Sequence, residues 1–392
     1  MQRLQTPAEA LAWLQARVTG TLVSDSRAVR AGDAFIAWPG AAADARRHVA
    51  DALQRGAAAC LVEAQGAQAW NFGDAPVAAI DDLHSHLGGV AAAFFGPAGA
   101  QLPVFAITGT NGKTSSAWWL AQALAATAPT PAAGRAGVIG TLGCGLIGHG
   151  AQAQASALRA TGLTTPDPVT LHAAVHAFAL AGAQGCAIEA SSIGLQERRL
   201  DGLAIRCAVF TNFTQDHLDY HGSMDAYWAA KRALFSWPGL RSAVVCTDSA
   251  QGLRLAEELA HSGLDLWTCS TEHAARLQAC QIRPTATGLA FEVRENGAGH
   301  TVHSPVPGHY NVANLLGVIA ALRSHGIPLA QAAAACSALQ APPGRMEPVD
   351  AAGAKPLVLV DYAHTPDALA QALAALRPLA RARGGQLWCV VG

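Results

Sequence analysis

Charged residues and lysines are both scarce in this sequence of 392 residues. Charged side chains make up 14% of it, against about 25% in an average soluble protein. The net charge of −1 excludes the basic excess that nucleic acids and acidic membranes attract. Lys113, Lys231 and Lys355 are the only lysines, so arginine carries nearly all positive charge. A lysine retained in such a chain is a candidate for chemistry that needs a compact amine.

Cysteine pairs and a signal peptide are also missing. The nine cysteines are scattered without a CxxC pair, which favours buried thiols in a reducing compartment over disulfides or a zinc site. The N-terminus lacks a basic segment followed by an apolar stretch. The uncharged stretch 88–108 is long enough to cross a membrane, but its prolines favour a helix, a linker and a strand. These patterns predict a cytoplasmic protein.

Short apolar runs alternate with helical patterns, which is typical of an α/β fold with a mainly parallel sheet covered on both faces. Predicted strands that end in polar residues lie at 104–107, 185–188, 207–210 and 243–246. Stretches rich in proline and glycine at 96–103 and 341–344 divide the chain. The predicted domains are 1–98, 99–340 and 341–392.

The last segment repeats the pattern with a strand at 357–360, a helix at 366–379 and a strand at 387–391. A lone strand–helix–strand fragment is too small to bury a core of its own. We therefore expect a third domain that is cut short at Gly392.

The clearest motif follows the strand 104–107, where Thr108 to Ser115 reads TGTNGKTS and a helix begins. A strand, a glycine loop, Lys-Thr and a helix are the context of a phosphate-binding loop, in which backbone amides and Lys113 contact phosphates. Thr114 would place its hydroxyl on magnesium. Ile107 stands where the eight-residue form has Gly or Ala, so the fit is to the shorter GxxGKT core. The motif predicts nucleotide binding.

Polar residues follow the next two predicted strands. Glu189 ends one strand and Asp216-His217 follow the other, at the carboxyl edge where parallel sheets bind ligands. A lone Glu could instead cap a helix, and lone histidines are usually fillers. Together they favour a magnesium–ATP site. Lys231 lies on a predicted helix, where a lysine is normally a surface residue, but its rarity favours a function.

Six motifs, in the order GTNGKTS, EASS, TNxxxDHLDYHG, GxxNxxN, GRME and DYAHTPDAL, resemble those of the Mur ligases. Three segments point to the branch that adds the third amino acid: Asp25-Ser26-Arg27, Thr164-Thr165-Pro166 and Asp361-Tyr362-Ala363-His364-Thr365-Pro366. The resemblance covers essentially the whole chain. It implies three domains: a UDP-binding N-terminal domain, a central P-loop ATPase and a Rossmann-like C-terminal domain that is present only in part.

The resemblance also implies the reaction and its partners. The terminal D-Glu carboxylate of UDP-MurNAc-L-Ala-D-Glu attacks the γ-phosphate of ATP, and the amine of an amino acid then attacks the acyl phosphate. We expect Mg²⁺ at two sites, a monomer, and meso-diaminopimelate as the added amino acid in preference to L-lysine. No nucleic acid or membrane partner is expected.

The site residues implied by the resemblance fall into three groups. The ATP-binding residues are Thr110, Asn111, Gly112, Lys113, Thr114, Ser115, Ser116, Asn212, Asn314, Arg345, Asp361 and His364. The residues that bind the UDP-muramoyl peptide are Ser24, Ser26, Thr164, Thr165, Ser191 and Arg199. The metal ligands are Thr114, Glu189, His217 and a carbamylated Lys231. Catalytic roles fall to Lys113, Lys231 and His217.

The chain departs from the family pattern in several places. Ala41-Ala42-Ala43 stand where many relatives carry His-Gln-Ala near the uracil, Ile193 replaces a common His, and Glu197 replaces a Gln. The family segment for the added amino acid would lie beyond Gly392. We therefore expect this chain to bind nucleotide substrates without completing the ligation.

Three alternative interpretations remain. The chain could be a sibling ligase, either another Mur enzyme or a folylpolyglutamate or cyanophycin synthetase, although Asp25-Ser26-Arg27 and Thr164-Thr165-Pro166 count against the folate enzymes. It could be a P-loop kinase or NTPase switch, which would need no amine. It could also be a non-catalytic scaffold, which ATP and magnesium would not stabilise.

Overall fold

The computed structural model describes residues 1–40, 43–130, 133–148, 158–285, 288–349, 357–363 and 366–391. The chain divides into two compact units. The first unit comprises Met1–Leu102, Thr165–Ala181 and Ile193–Ala204. The second comprises Pro103–Thr164, Gly182–Ser192 and Ile205–Gly392. The predicted domain ranges 1–98, 99–340 and 341–392 stay a prediction.

The first unit is built on a parallel five-stranded sheet with the strand order β1-β5-β4-β3-β2. Its strands are β1 (Gln2–Leu4), β2 (Leu22–Val23), β3 (Ala34–Ala37), β4 (Ala59–Glu63) and β5 (Val77–Ile80). Its helices are α1 (Pro7–Gln15), α2 (Val49–Gln54), α3 (Leu83–Phe95), α4 (Pro97–Gln101) and α6 (Pro168–Leu180). All residues of β3, β4 and β5 are buried, because helices cover parallel sheets on both faces.

Local sequence explains where the helices of this unit begin. Thr6 caps α1 by accepting a hydrogen bond from the Glu9 N–H, and Pro7 occupies the first turn. Asp167 caps α6 through the N–H groups of Val169 and Thr170. The predicted linker 96–103 is wrong in part, because 97–101 form the short helix α4. Its proline stands in the first turn, where the missing N–H has no helical partner to lose.

The second unit contains a ten-stranded sheet with the order β15-β14-β13-β12-β11-β10-β6-β9-β7-β8. Its strands are β6 (Val104–Thr108), β7 (Arg135–Gly140), β8 (Gly143–Gly148), β9 (Cys186–Glu189), β10 (Ile205–Phe210), β11 (Ser242–Cys246), β12 (Asp265–Ser270), β13 (Leu277–Pro284), β14 (Leu289–Glu295) and β15 (Ala298–Ser304). The strands from β7 to β13 in this order pair in parallel, and β8, β14 and β15 join antiparallel at the edges. The predicted α/β class is confirmed.

The helices of the second unit are α5 (Lys113–Ala126), α8 (Leu218–His221), α9 (Met224–Arg232), α10 (Ala250–Leu259), α11 (His309–Ser324), α12 (Leu329–Ser337) and α13 (Pro366–Ala382). A short helix α7 (Ser192–Gln196) begins at the last residue of one of its segments. Helices α5 and α11 are buried along most of their length. Because β6 lies between β9 and β10, the residues that follow these three strands emerge side by side.

The tail of the second unit differs from the prediction. Strands β16 (Glu347–Val349) and β17 (Val358–Val360) form an antiparallel pair, and α13 follows. The predicted strand 387–391 is wrong, because residues 386–391 take no regular structure. Trp388 and Val390 are exposed, and no strand pairs with this run among the described residues. An apolar run needs a hydrogen-bonding neighbour to become a strand. In the part of the chain that is described, no helix is long and apolar enough to cross a membrane.

Candidate active site

The phosphate loop connects β6 to α5 and is packed tightly against neighbouring strands and helices. Gly109 has φ 141° and Gly112 has φ 84°, a region that favours glycine. A Cβ at Gly109 would lie 2.0 Å from Thr211 Oγ1, and one at Gly112 would lie 2.3 Å from Asn314 Oδ1. The loop therefore requires both glycines, and the predicted residue Asn314 lies directly against it.

Lys113 and Lys231 share one acceptor in the loop. The Nζ atoms of both side chains donate to the carbonyl oxygen of Gly109, at 2.9 Å for Lys113 and 2.8 Å for Lys231. Lys113 also donates to the carbonyl of Thr110 at 2.7 Å. Two amines on one carbonyl repel each other when both are charged, so the arrangement favours a neutral form of one of them.

Lys231 is a buried amine that loses its proton easily. It is 1% exposed, and burial together with the charge of Lys113 lowers its pKa to about 6, against an opposing effect of Asp216. Burial also lowers the pKa of Lys113, although Glu189 and Asp216 oppose this. A buried, neutral amine is a nucleophile at pH 7. This protonation state is the one that carbamate formation requires.

Glu189 is a buried carboxylate held by hydroxyl and amide donors. It is 2% exposed, and it ends β9 beside Ile107 of β6. Thr114 Oγ1 donates to its Oε2 at 2.9 Å, and the Thr141 N–H donates to its Oε1 at 2.7 Å. Burial raises the pKa of Glu189, and the charge of Lys113 opposes that shift. The predicted pair of Thr114 and Glu189 is therefore in direct contact.

Tyr227 connects the loop to the histidines. Its hydroxyl donates to Thr110 Oγ1 at 3.2 Å, and Lys231 Nζ lies 4.3 Å from its ring centroid. The centroid of its ring is 6.1 Å from that of His217 and 5.2 Å from that of His221. His217 itself is half-buried and lies 3.5 Å from Asp216. One aromatic ring thus links the predicted residues Thr110, Lys231 and His217.

The loop is further fixed by the residues after β10. The Asn111 N–H donates to Asn212 Oδ1 at 2.9 Å, and Asn212 Nδ2 donates to the Asn111 carbonyl at 3.0 Å. Ser115 is half-buried in the first turn of α5. Ser116 Oγ is buried without a hydrogen-bond partner among the described residues. The predicted ATP-binding residues from Thr110 to Ser116 therefore all lie in the phosphate loop or in the first turn of α5.

The two described tail residues predicted to bind ATP lie in the second unit. Arg345 stacks 4.9 Å from the ring centroid of Tyr362, and its charge contributes to the lowered pKa of Lys113. Asp361 accepts hydrogen bonds from the Met346 and Ala363 N–H groups, both at 2.9 Å. Arg345 is thus within electrostatic range of the phosphate loop. His364 lies outside the described residues.

Two residues predicted to bind the UDP-linked substrate line a pocket of the first unit. Ser24 and Ser26 border a cavity of about 490 Å³, together with Arg47, His48 and Arg55. The arginines Arg27, Arg47 and Arg55 outnumber the lining carboxylates Asp25 and Asp51, which suits an anionic ligand such as a diphosphate. Ala41 and Ala42, at the departure from the uracil motif, lie outside the described residues.

The other predicted substrate residues are divided between the units. In the first unit, Arg199 Nη1 donates to the Thr165 carbonyl at 2.8 Å and Arg199 pairs with Glu197 at 2.6 Å. In the second unit, Thr164 Oγ1 lies 3.2 Å from Thr141 Oγ1, and Ser191 is half-buried after β9. The structure thus joins Arg199 to Thr165 and Thr164 to Thr141.

The donor set near the loop fits magnesium. Mg²⁺ prefers oxygen ligands and usually takes one or two carboxylates together with phosphates. Thr114 supplies a hydroxyl and Glu189 a carboxylate 2.9 Å away. Lys231 would supply oxygens only as a carbamate, and its lowered pKa suits that reaction.

A second group of side chains that could hold a metal lies after β11 and β12. Asp248, Glu272 and His273 place one ligand atom each within 4.8 Å of the others. However, the Asp248 carboxylate already accepts hydrogen bonds from the Ser270 hydroxyl and from the N–H and hydroxyl of Thr271. These bonds give the group a structural role in joining two strand ends.

Sequence reasoning missed Thr141 and Tyr227. Thr141 lies in the hairpin turn between β7 and β8, and the sequence analysis predicted neither strand. Tyr227 lies on the predicted helix that carries Lys231, and its spacing of four residues from Lys231 places both on one helix face. That spacing is the signal that could have identified it.

Known proteins resemble this chain in both sequence and structure. The sequence model of the Mur ligase middle domain matches residues 107–322, and that of the Mur ligase glutamate ligase domain matches residues 344–392. A UDP-N-acetylmuramoyl-L-alanyl-D-glutamate–2,6-diaminopimelate ligase of an Acidovorax species is 56% identical over 100% of this chain and 77% of its own length. The enzyme of the same name from a Janthinobacterium species is 45% identical over 98% of this chain and 76% of its own length.

Solved structures agree with these matches. A structure of UDP-N-acetylmuramoyl-L-alanyl-D-glutamate–2,6-diaminopimelate ligase is 30% identical, has a TM-score of 0.71, and covers 91% of this chain and 70% of its own. A MurF from Acinetobacter baumannii is 20% identical with a TM-score of 0.69, covering 93% of this chain and 76% of its own. The second likeness supports the fold alone.

Proposed function

Because the chain belongs to the Mur ligase family, we propose that it serves in joining 2,6-diaminopimelate, as the meso isomer, to UDP-MurNAc-L-Ala-D-Glu with cleavage of ATP to ADP and phosphate. We expect these 392 residues to carry out the first, nucleotide-dependent step, and the expectation that they do not complete the ligation stays a prediction. The product is a precursor of peptidoglycan. The observation that carries the proposal is the contact of Lys113 and Lys231 with one loop carbonyl, at 2.9 and 2.8 Å, beside the Thr114–Glu189 pair. A site of this kind suits phosphoryl transfer to a carboxylate.

The first step is the transfer of phosphate. An oxygen of the D-Glu carboxylate attacks the γ-phosphorus of ATP, the bond to the bridging oxygen breaks, and ADP leaves with that oxygen. Lys113 and the amides of the loop stabilise charge on the phosphates. Bound magnesium would supply further neutralisation of the phosphate oxygens. The carbonyl carbon now carries a phosphate leaving group.

The second step forms the amide. The neutral amine of diaminopimelate attacks the acyl carbon, phosphate leaves, and the nitrogen loses a proton. Phosphorylation is needed because a carboxylate is a poor acyl donor at neutral pH. Arg345, within electrostatic range of Lys113, and Asp361 would contact the nucleotide, with Asn212 and Asn314 at the loop.

The magnesium sites would use the residues of the second unit. Thr114 and Glu189 would hold one ion. Glu189, His217 and a carbamylated Lys231 would hold a second. The Lys231 amine attacks CO₂ and releases one proton, a reaction for which its pKa of about 6 leaves the amine neutral at pH 7.

The remaining assignments concern the substrate and the assembly. Ser24 and Ser26 would bind the diphosphate in the 490 Å³ pocket, and Thr164, Thr165, Ser191 and Arg199 the muramoyl peptide. The three predicted domains, 1–98, 99–340 and 341–392, would bind the UDP group, ATP and the amino acid. We propose a monomer in the cytoplasm, where ATP and UDP-linked precursors are available.

Two assays test this function. The first measures phosphate release from ATP with UDP-MurNAc-L-Ala-D-Glu and meso-diaminopimelate, and with L-lysine as the alternative amine. The second replaces the amine by hydroxylamine, which traps the acyl phosphate as a hydroxamate and therefore tests the first step alone. We expect hydroxamate only when both nucleotide substrates are present. A rate of phosphate release that does not depend on the UDP-linked substrate would favour an NTPase and reject the proposal.

A further inference from the structure

Thr141 contacts the carboxylate of Glu189 through two donors. Its N–H donates to Oε1 at 2.7 Å, and its hydroxyl donates to Oε2 at 3.3 Å. Thr114 donates to the same Oε2 at 2.9 Å. Each oxygen of Glu189 thus receives a hydrogen bond from the turn between β7 and β8. The orientation of this carboxylate depends on the turn as well as on the phosphate loop.

The contact leaves little room for another carboxylate position. A Cβ built on Gly140, the residue before Thr141, would lie 2.1 Å from Glu189 Oε1. The carboxylate therefore sits directly on the backbone of the turn, and it is 2% exposed. Thr141 itself is an exposed residue. A substitution at this exposed residue is not expected to open the core.

The Thr141 hydroxyl also contacts Thr164. The two Oγ1 atoms are 3.2 Å apart, and Thr164 belongs to the Thr-Thr-Pro motif assigned to the muramoyl peptide. A single hydroxyl therefore contacts both the carboxylate assigned to magnesium and a side chain assigned to the substrate. Because the Thr141 hydroxyl donates to Glu189, it can accept a hydrogen bond from the Thr164 hydroxyl at the same time. A change in the position of the Thr164 side chain can therefore shift the hydroxyl that contacts Glu189.

We propose that Thr141 is a positioning residue that orients Glu189 for magnesium and couples this orientation to substrate binding at Thr164. The proposal rests on the proposed function for its assignment of Glu189 and Thr164. Metal ligands need partners that fix their orientation, and loss of such a partner typically weakens metal binding by about 10–100-fold. The alternative is that Thr141 only closes the hairpin turn, which would affect stability and not metal affinity.

The test compares Thr141→Val, Thr141→Ser and a control, Thr301→Val, on an exposed position of β15. Valine keeps the backbone N–H and removes only the hydroxyl, and serine restores it. The first readout is the affinity for Mn²⁺ in the presence of ADP, measured by electron paramagnetic resonance. We expect roughly 10-fold weaker binding for Thr141→Val, near wild-type binding for Thr141→Ser, and no change for the control.

A second readout separates positioning from catalysis. In the hydroxamate assay we expect Thr141→Val to need about 10-fold more Mg²⁺ for half-maximal rate, with most of the maximal rate recovered at saturating Mg²⁺. A third readout tests coupling: UDP-MurNAc-L-Ala-D-Glu should tighten Mn²⁺ binding in the wild type and in Thr141→Ser, and less in Thr141→Val.

Two results would overturn the proposal. One is a Thr141→Val variant that binds Mn²⁺ as tightly as the wild type. The other is an equal loss of Mn²⁺ affinity in Thr141→Val and Thr141→Ser. If thermal unfolding shows that Thr141→Val is not folded, Thr141→Ala tests the same hydroxyl. A wild-type protein that forms no hydroxamate would reject the proposed function, whereas the Mn²⁺ titration without substrate would still decide the role of Thr141.

Discussion

The phosphate-loop region of the second unit and the pocket of the first unit both place charged side chains after parallel strands, but the environments of these charges differ. Lys231 and Glu189 are 1% and 2% exposed, and burial lowers the pKa of the lysine and raises that of the carboxyl. In the pocket, the Arg27 side chain is 84% exposed, and its hydrogen bonds lower the pKa of Asp25.

This difference indicates two ways of handling an anionic ligand. In the buried region, desolvation sets protonation states, so each group has a specific chemical role and its loss is costly. In the exposed pocket, water and salt screen the charges, so each contributes modestly to binding. We therefore expect substitutions in the buried region to have larger effects than substitutions in the exposed pocket.

The largest effect is expected for Lys231→Ala. We expect turnover to fall by roughly 10²–10³-fold, the scale for loss of one preorganised electrostatic group, with nucleotide binding largely retained. Added formate or acetate should restore part of the rate by supplying the missing carboxylate. The matched control is Arg232→Ala, which removes a surface pair with Glu258 and should be nearly neutral. Wild-type turnover in Lys231→Ala would reject the carbamate.

The next effect concerns stability against pH. Between pH 6 and about 10.4 the unfolded chain holds a proton on Lys231 that the folded protein releases, so this residue makes the wild type less stable as pH falls through that range. Lys231→Met should remove this pH dependence, and its free energy of unfolding at pH 6.5 should exceed that of the wild type by roughly 1–4 kcal/mol. The difference in the free energy of unfolding between the two proteins should be smaller at pH 9.

Urea unfolding in buffer free of CO₂ measures both proteins without carbamate. An equal stability gap at pH 6.5 and pH 9 would mean that the folded and unfolded states hold the Lys231 proton alike. In that case the lysine would be charged in the folded protein, and the contrast between the two regions would lose its basis.

The smallest effect is expected in the exposed pocket. Arg47→Ala should raise the KM for the UDP-linked substrate about 5-fold, which corresponds to about 1 kcal/mol. The difference from wild type should shrink at high salt, because exposed charges are screened. Arg3→Ala, which removes a surface pair with Asp81 in the same unit, serves as the control. A salt-independent effect of 100-fold would place Arg47 among the desolvated groups.

The phosphate loop could be predicted because its chemistry is local. The strand, the two glycines, Lys113 and Thr114 lie within eleven residues of sequence, and local order dictates their geometry. The carboxylate of Glu189 could also be placed, because strand ends in a parallel sheet meet at one edge. The rarity of lysine identified Lys231 as a candidate. The sequence did not predict that its amine would contact the Gly109 carbonyl.

Other features depend on contacts that the sequence does not show. The role of Thr141 requires the hairpin of β7 and β8 to lie beside β9, a pairing between strands far apart in sequence. The prediction of a strand at 387–391 failed for the same reason, because an apolar run does not show whether a neighbouring strand is there to pair with it. Arg47, Arg55 and Ser26 are distant in sequence and line the same cavity only in the folded unit.

The proposed function requires the loop at Lys113 to hold the triphosphate beside Glu189 and Lys231. The most direct measurement is a crystal structure of the chain with a non-hydrolysable ATP analogue and Mg²⁺. We predict phosphate oxygens on the amides of the loop and on Lys113 Nζ, with a metal ion bound by Thr114 and Glu189. A nucleotide bound elsewhere, with this loop empty, would contradict the account.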